Sequence, residues 1–213
     1  MRVKFCGMTR LEDAREAARL GAWAVGVIHH EESPRACDPA VAAAIGTELR
    51  RRLEVVGVFV NATLDQIARA VENESLTMVQ LHGDEGPSFC AEVARRTGAK
   101  VSKAFQVRSR AEVEAAEAYR VNLHLFDAHH PRARGGTGET FDWELLHERR
   151  SAVPMVLSGG LRADNVGEAI GIADPYAVDV ASGVELRPGV KDHDAMAAFF
   201  EAAQTATAGA VRS

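Results

Sequence analysis

The sequence predicts an α/β protein, a single-domain (β/α)8 or TIM barrel of parallel strands over residues 1–213, and three observations carry that reading. Short apolar runs alternate with helix-period segments, giving about eight β/α units, the number that closes such a barrel. Several runs, WAVGVI and LEVVGVFV among them, are apolar nearly throughout, as strands covered on both faces must be. No G-x-G-x-x-G follows the first run, and an open doubly wound sheet would usually have fewer strands.

Taken in order, Val3, Lys4 and Phe5 form a first strand that delivers Cys6 to its C-terminal tip. Thr9 and Glu12 have capping-box spacing, so a helix is expected to start there, with Leu11, Ala14 and Ala18 on its apolar side. Further strands are expected at Trp23–Ile28, Leu53–Val60, Thr77–His82, Lys100–Val107, Asn122–Asp127, Pro154–Gly159 and Tyr176–Gly183. Helix starts are signalled by Asp38-Pro39 as N-cap and N1, and by the pairs Thr63/Gln66 and Ser109/Glu112. Apolar stripes mark helices at Leu64, Ile67, Ala68 and Val71, at Val166, Ala169, Ile170 and Ala173, and at Met196, Phe199, Phe200 and Ala203. One connection, Ala128 to Phe141, is long, polar and glycine-rich, and reads as a mobile cover over the barrel mouth. Its GGTGET lacks the spacing and the lysine of a P-loop.

The 46% hydrophobic and 26% charged fractions are those of an ordinary globular chain, and 213 residues suffice for one buried core. A formal net charge of -5 with no basic stripe argues against a nucleic-acid partner. No apolar run reaches membrane-span length, and no signal-peptide core follows Met1. Cys6, Cys37 and Cys90 lie far apart with no C-x-x-C spacing, so free thiols in the cytoplasm are expected rather than a disulfide framework.

In a barrel the last residues of the strands line the mouth. There the sequence places Cys6 after the first strand, Arg35 after the second, His82 at the end of the fourth and Asp127 at the end of the sixth. Gly159-Gly160 follow the seventh strand and Ser182-Gly183 the eighth. A thiol and a carboxyl at opposed strand ends can move a proton between two atoms of one small molecule. Glycines after the last two strands let backbone N–H groups approach an anion, and Arg35 offers a planar fork for a carboxylate. Each residue also has a plainer role open to it. Cys6 reads equally as a small buried hydrophobe, Asp127 as a turn cap, Arg35 as a surface arginine and His82 as a polar strand end. His129-His130 are weak as metal ligands, and no metal is expected.

The segments VKFCGMTR, SPR, VQLHGDE, KAFQV, GGTGETFDW, LSGGL and DVASGVELRPGVKD, in this order from Val3 to about Phe200, resemble the phosphoribosylanthranilate isomerase family of tryptophan biosynthesis. The resemblance implies a TIM barrel without a cofactor that carries out an Amadori rearrangement of N-(5-phosphoribosyl)anthranilate. It implies Cys6 as general base and Asp127 as general acid, with Arg35 on the anthranilate carboxylate. Gly159, Gly160, Ser182 and Gly183 match the phosphate-binding turns, and His82 and Asp179 match strand-end positions near the substrate. The partner so implied is a small phosphoribosyl molecule, with no nucleic acid or membrane, and the chain is expected as a monomer with a homodimer as the alternative.

Three positions depart from that family's pattern. Glu139 stands where the lid usually carries a lysine, Ala181 replaces a small polar residue, and His29-His30 replace a more hydrophobic stretch. The related isomerase of histidine biosynthesis resembles a two-carboxylate design with an aspartate where this chain has Cys6. A non-catalytic phosphosugar-binding barrel is the alternative from another class.

Overall fold

The computed structural model describes residues 1–128 and 143–210. Eight parallel strands close a barrel in sequence order: β1 (Arg2–Phe5), β2 (Ala24–His29), β3 (Glu54–Phe59), β4 (Met78–Leu81), β5 (Lys100–Val107), β6 (Leu123–Ala128), β7 (Met155–Ser158) and β8 (Ala177–Val180). The seam is the pairing of β1 with β8, which sets Lys4 opposite Asp179 and Phe5 opposite Val180. Side chains alternate across each strand, so one set fills the barrel and the other meets the helices. Ala24, Val56, Met78, Ala104, Leu123, Leu125, Val156 and Ala177 form the inner cluster. A larger cluster lies between the barrel wall and the helices, where Phe5 packs edge-on against Phe199 with ring centroids 6.2 Å apart.

The helices are α1 (Leu11–Leu20), α2 (Pro39–Leu49), α3 (Leu64–Asn73), α4 (Pro87–Thr97), α5 (Arg110–Ala115), α6 (Val166–Ala173) and α7 (His193–Ala210). The local start signals hold at α2, where Asp38 accepts from the Ala40 N–H at 2.7 Å, and at α3 and α5, where both capping boxes form. They fail at α1. Its N-cap is Arg10 without a side-chain bond, because the Thr9 hydroxyl instead donates to the Gly189 carbonyl. The sixth unit has only a 3-10 segment, Trp143–Glu148, among the described residues. The eighth predicted strand stops early, at Val180. A 3-10 turn at Ser182–Val184 follows, then an antiparallel hairpin of β9 (Glu185–Arg187) and β10 (Val190–Lys191). The expected cover with Glu139, the GGTGET stretch and His129-His130 lies outside the described residues. Among the described residues no helix is long and apolar enough to cross a membrane.

Candidate active site

Cys6 lies just past β1, with its N–H donating to the Val180 carbonyl at 2.8 Å. Lys4, two residues earlier on the same inward face, is buried and gives its ammonium to Asp179 Oδ1 at 3.0 Å. The neighbouring strand makes room for both groups. A Cβ on Gly26 of β2 would stand 2.7 Å from the Cys6 Sγ and 3.3 Å from the Lys4 Nζ. Burial pushes the thiol above its ordinary value; Lys4 pulls it back, Asp179 pushes it up again, Lys191 pulls weakly, and burial prevails. Burial also works against the Lys4 charge, yet Asp179 and Cys6 outweigh it and hold that ammonium above the usual lysine range. Burial thus opposes the thiolate, and the Lys4 ammonium beside it works in the thiolate's favour.

Asp127 is half-buried on β6, and its Oδ2 lies 3.4 Å from His82 Nε2. The other ring nitrogen, Nδ1, is 3.1 Å from the Gln80 side-chain nitrogen. With the Gln80 amide donating there, Nε2 carries the ring proton and faces the carboxyl. A cavity of about 210 Å³ joins Asp127 to Ser158, Gly159, Gly160, Asp179 and Ser182. Gly159 and Gly160 take φ of 92° and 64°, a turn that L side chains rarely adopt. Asn165 ties that turn to α6, its side-chain N–H donating to the Gly160 carbonyl at 3.1 Å. Gly183 lies against the Leu161 carbonyl so closely that a Cβ would collide with it, which draws the turns after β7 and β8 together.

Two residues expected to contact the substrate also have partners within the chain. Asp179 lines the cavity, but its Oδ1 is committed to Lys4, so it acts on the thiol's surroundings as much as on any ligand. Arg35 is not free in a loop: its Nε and Nη2 donate to Glu185 at 2.8–3.0 Å. Lys4, Gln80, Glu185 and Lys191 were not singled out from the sequence. Lys4 and Gln80 could have been found by strand parity, since each lies two residues before a named site residue. Glu185 and Lys191 stand in the SGVELRPGVK segment, with nothing local to show their role.

Fold and mouth together describe a (β/α)8 barrel with a thiol, a carboxyl and two glycine-bearing turns at the C-terminal ends of its strands. A family model for N-(5'-phosphoribosyl)anthranilate (PRA) isomerase matches residues 3–202, and the chain belongs to that family, whose members are isomerases of tryptophan biosynthesis. The N-(5'-phosphoribosyl)anthranilate isomerase of Geobacter sp. (strain M21) is 46% identical over 198 residues, covering 93% of this chain and 95% of its own. The crystal structure of phosphoribosyl anthranilate isomerase from Thermotoga maritima matches with a TM-score of 0.89 at 42% identity, covering 96% of this chain and 99% of that one. A phosphoribosyl anthranilate isomerase in complex with reduced 1-(o-carboxyphenylamino)-1-deoxyribulose 5-phosphate matches with a TM-score of 0.85 at 39% identity, covering 96% and 99%.

Proposed function

We propose that this chain converts N-(5-phosphoribosyl)anthranilate to 1-(2-carboxyphenylamino)-1-deoxyribulose 5-phosphate, with Asp127 as acid and Cys6 as base. The observation that carries this reading is the cavity joining Asp127 to the turns at Gly159-Gly160 and Ser182, with Cys6 on the adjoining seam. The phosphate sits at those turns, where backbone N–H groups point at an anion. Asp127, protonated, gives its proton to the furanose oxygen as the C1–O bond breaks, and the aniline nitrogen lone pair pushes to form an iminium. That cation acidifies the C2–H bond. It also adds positive charge beside Lys4, which favours the thiolate that burial had opposed. Cys6 then removes the C2 proton to give an enolamine, which tautomerises to the ketone, while the His82 Nε2–H faces the carboxylate that the proton transfer leaves on Asp127. Arg35 takes the ring carboxylate.

The same reading makes the protein a cytoplasmic enzyme acting on a small phosphorylated molecule. A monomer suffices for it, since every residue named above comes from one chain; a solved relative from Thermotoga maritima is described as dimeric. Purified protein should turn over the phosphoribosyl substrate and restore growth of a tryptophan auxotroph lacking this step, and not of the corresponding histidine auxotroph. Absence of turnover by well-folded protein would return the chain to the non-catalytic phosphosugar-binding class.

A further inference from the structure

We propose that Glu185 is a positioning residue that aims Arg35 at the substrate carboxylate, and that Lys191 ties this carboxylate end of the site to the phosphate end. The inference rests on the assignment of Arg35 to the ring carboxylate made above.

A guanidinium has two edges that can each grip a carboxylate side-on. Glu185 takes the edge formed by Nε and Nη2, at 3.0, 3.0 and 2.8 Å. No hydrogen bond runs from Nη1 to any described residue, so the Nη1/Nη2 edge remains for a ligand. The Glu185 side chain is 4% exposed and that of Arg35 23%, so solvent reaches the arginine side chain more readily than its anchor. The stem is fixed as well. A Cβ on Gly7, the residue after the thiol, would stand 2.8 Å from Arg35 Cδ, so the arginine lies across the turn that carries Cys6.

Glu185 is itself held before Arg35 reaches it. Its Oε1 accepts from the Gly189 N–H at 3.2 Å and from Lys191 Nζ at 3.0 Å. The Lys191 ammonium also donates to the Ala181 carbonyl at 2.9 Å, one residue before the Ser182 turn. Buried Asp13 receives the Lys191 backbone N–H at 3.2 Å and fixes the hairpin to α1. One lysine thus spans the turn expected to hold phosphate and the carboxylate that aims the arginine, and the hairpin sets the separation of the two anion sites. The charges fit this arrangement. Arg35 and Lys191 against Glu185 leave one positive charge over, so the acidic anchor does not cancel the attraction for a ligand carboxylate.

The test compares two inhibitors, the reduced product with its ring carboxylate and the same molecule with an unsubstituted phenyl ring. Each is measured with wild type, Glu185→Gln, Arg35→Ala and the double variant. Losing the aim of the fork should weaken the carboxylated inhibitor and raise KM roughly 5- to 30-fold, while kcat changes less than about 3-fold. Affinity for the carboxylate-free inhibitor should stay within about 2-fold, and Glu185→Gln should add nothing in the Arg35→Ala background. Equal weakening of both inhibitors, or full additivity with Arg35→Ala, would reduce Glu185 to a structural support of the hairpin and overturn the proposal. Arg35→Lys gives a second reading that does not disturb Glu185. An ammonium captured by Glu185 has no second edge, so affinity for the carboxylated inhibitor should remain within about 3-fold of Arg35→Ala. Recovery to near wild type would overturn the proposal equally. Should Arg35→Ala treat both inhibitors alike, the carboxylate assignment fails, a result distinct from a failure confined to Glu185.

Discussion

Two lysines are buried in the barrel wall, each with one carboxylate at nearly the same distance: Lys4 with Asp179 at 3.0 Å and Lys103 with Glu85 at 3.1 Å. Their surroundings differ. Lys103 also donates to the carbonyls of Leu81 and Gly83, and Glu85 accepts the backbone N–H groups of Asn61 and Gly83. That pair is closed on itself and clamps the turns after β3 and β4, which keeps His82 at the mouth. Lys4 is bonded to one carboxylate oxygen and stands beside a thiol, over a glycine that leaves both groups room. A buried charge with all its donors used is architecture, whereas one with donors to spare, next to a group that can ionise, can respond to chemistry.

The largest effect expected from this contrast falls on the thiol. Cys6→Ser keeps the shape but supplies a far less acidic hydroxyl, so kcat should fall roughly 10²-fold or more while KM moves little. Steady-state kinetics on protein checked by circular dichroism decides it, and near-normal turnover would leave Cys6 as a buried hydrophobe. The two lysines should then separate by kind of damage. Lys103→Met strands Glu85 and should cost about 3–5 kcal/mol of stability in urea unfolding, with kcat of the folded protein close to normal. Lys4→Met combined with Asp179→Asn removes both charges at once. It should cost less stability, but lower kcat at neutral pH about 10-fold and move the rising limb of the pH–rate profile upward. If both changes lowered stability and left kcat alone, the distinction between the two pairs would collapse.

A smaller effect sharpens the contrast between thiols. Cys37 is pushed up to about 12 by burial and by the nearby carboxylates Glu74 and Asp38, whereas Cys6 has Lys4 and Lys191 working against its burial. A folded-state thiol above its unfolded value contributes stability below the unfolded value, near 8.5, and loses it as pH rises toward the folded one. Stability should therefore decline from about pH 8.5 upward. Cys37→Ala should make that decline shallower in melts taken across the alkaline range, and an unchanged slope would assign it to other groups.

Much of this was readable from the chain. Cys6 and Asp127 could be placed because a parallel barrel puts strand ends at one mouth, and the boxes at Thr63 and Ser109 could be read because their partners are three residues away. Thr9 misled for the opposite reason: its hydroxyl is claimed by a carbonyl 180 residues further on. The β9–β10 hairpin escaped notice because its strands are two and three residues long and flank Pro188-Gly189. Lys4 was hidden by its type, since a lysine in a strand ordinarily reads as solvent-facing until its parity with Cys6 is considered. Arg35 could be named, but its tie to Glu185 spans 150 residues and no local pattern announces it.

The seam of β1 with β8 also sets an order of events in synthesis. Lys4, Cys6, Thr9 and Asp13 leave the ribosome long before their partners Asp179, Val180, Gly189 and Lys191. Until then the nascent chain carries Cys6 with no cation held beside it by Asp179 and no wall over it. Barrel closure and assembly of the site are one long-range step, of the kind that folds slowly because the whole intervening chain must be looped out first. A chain released before residue 177 would have most of its strands and no site at all.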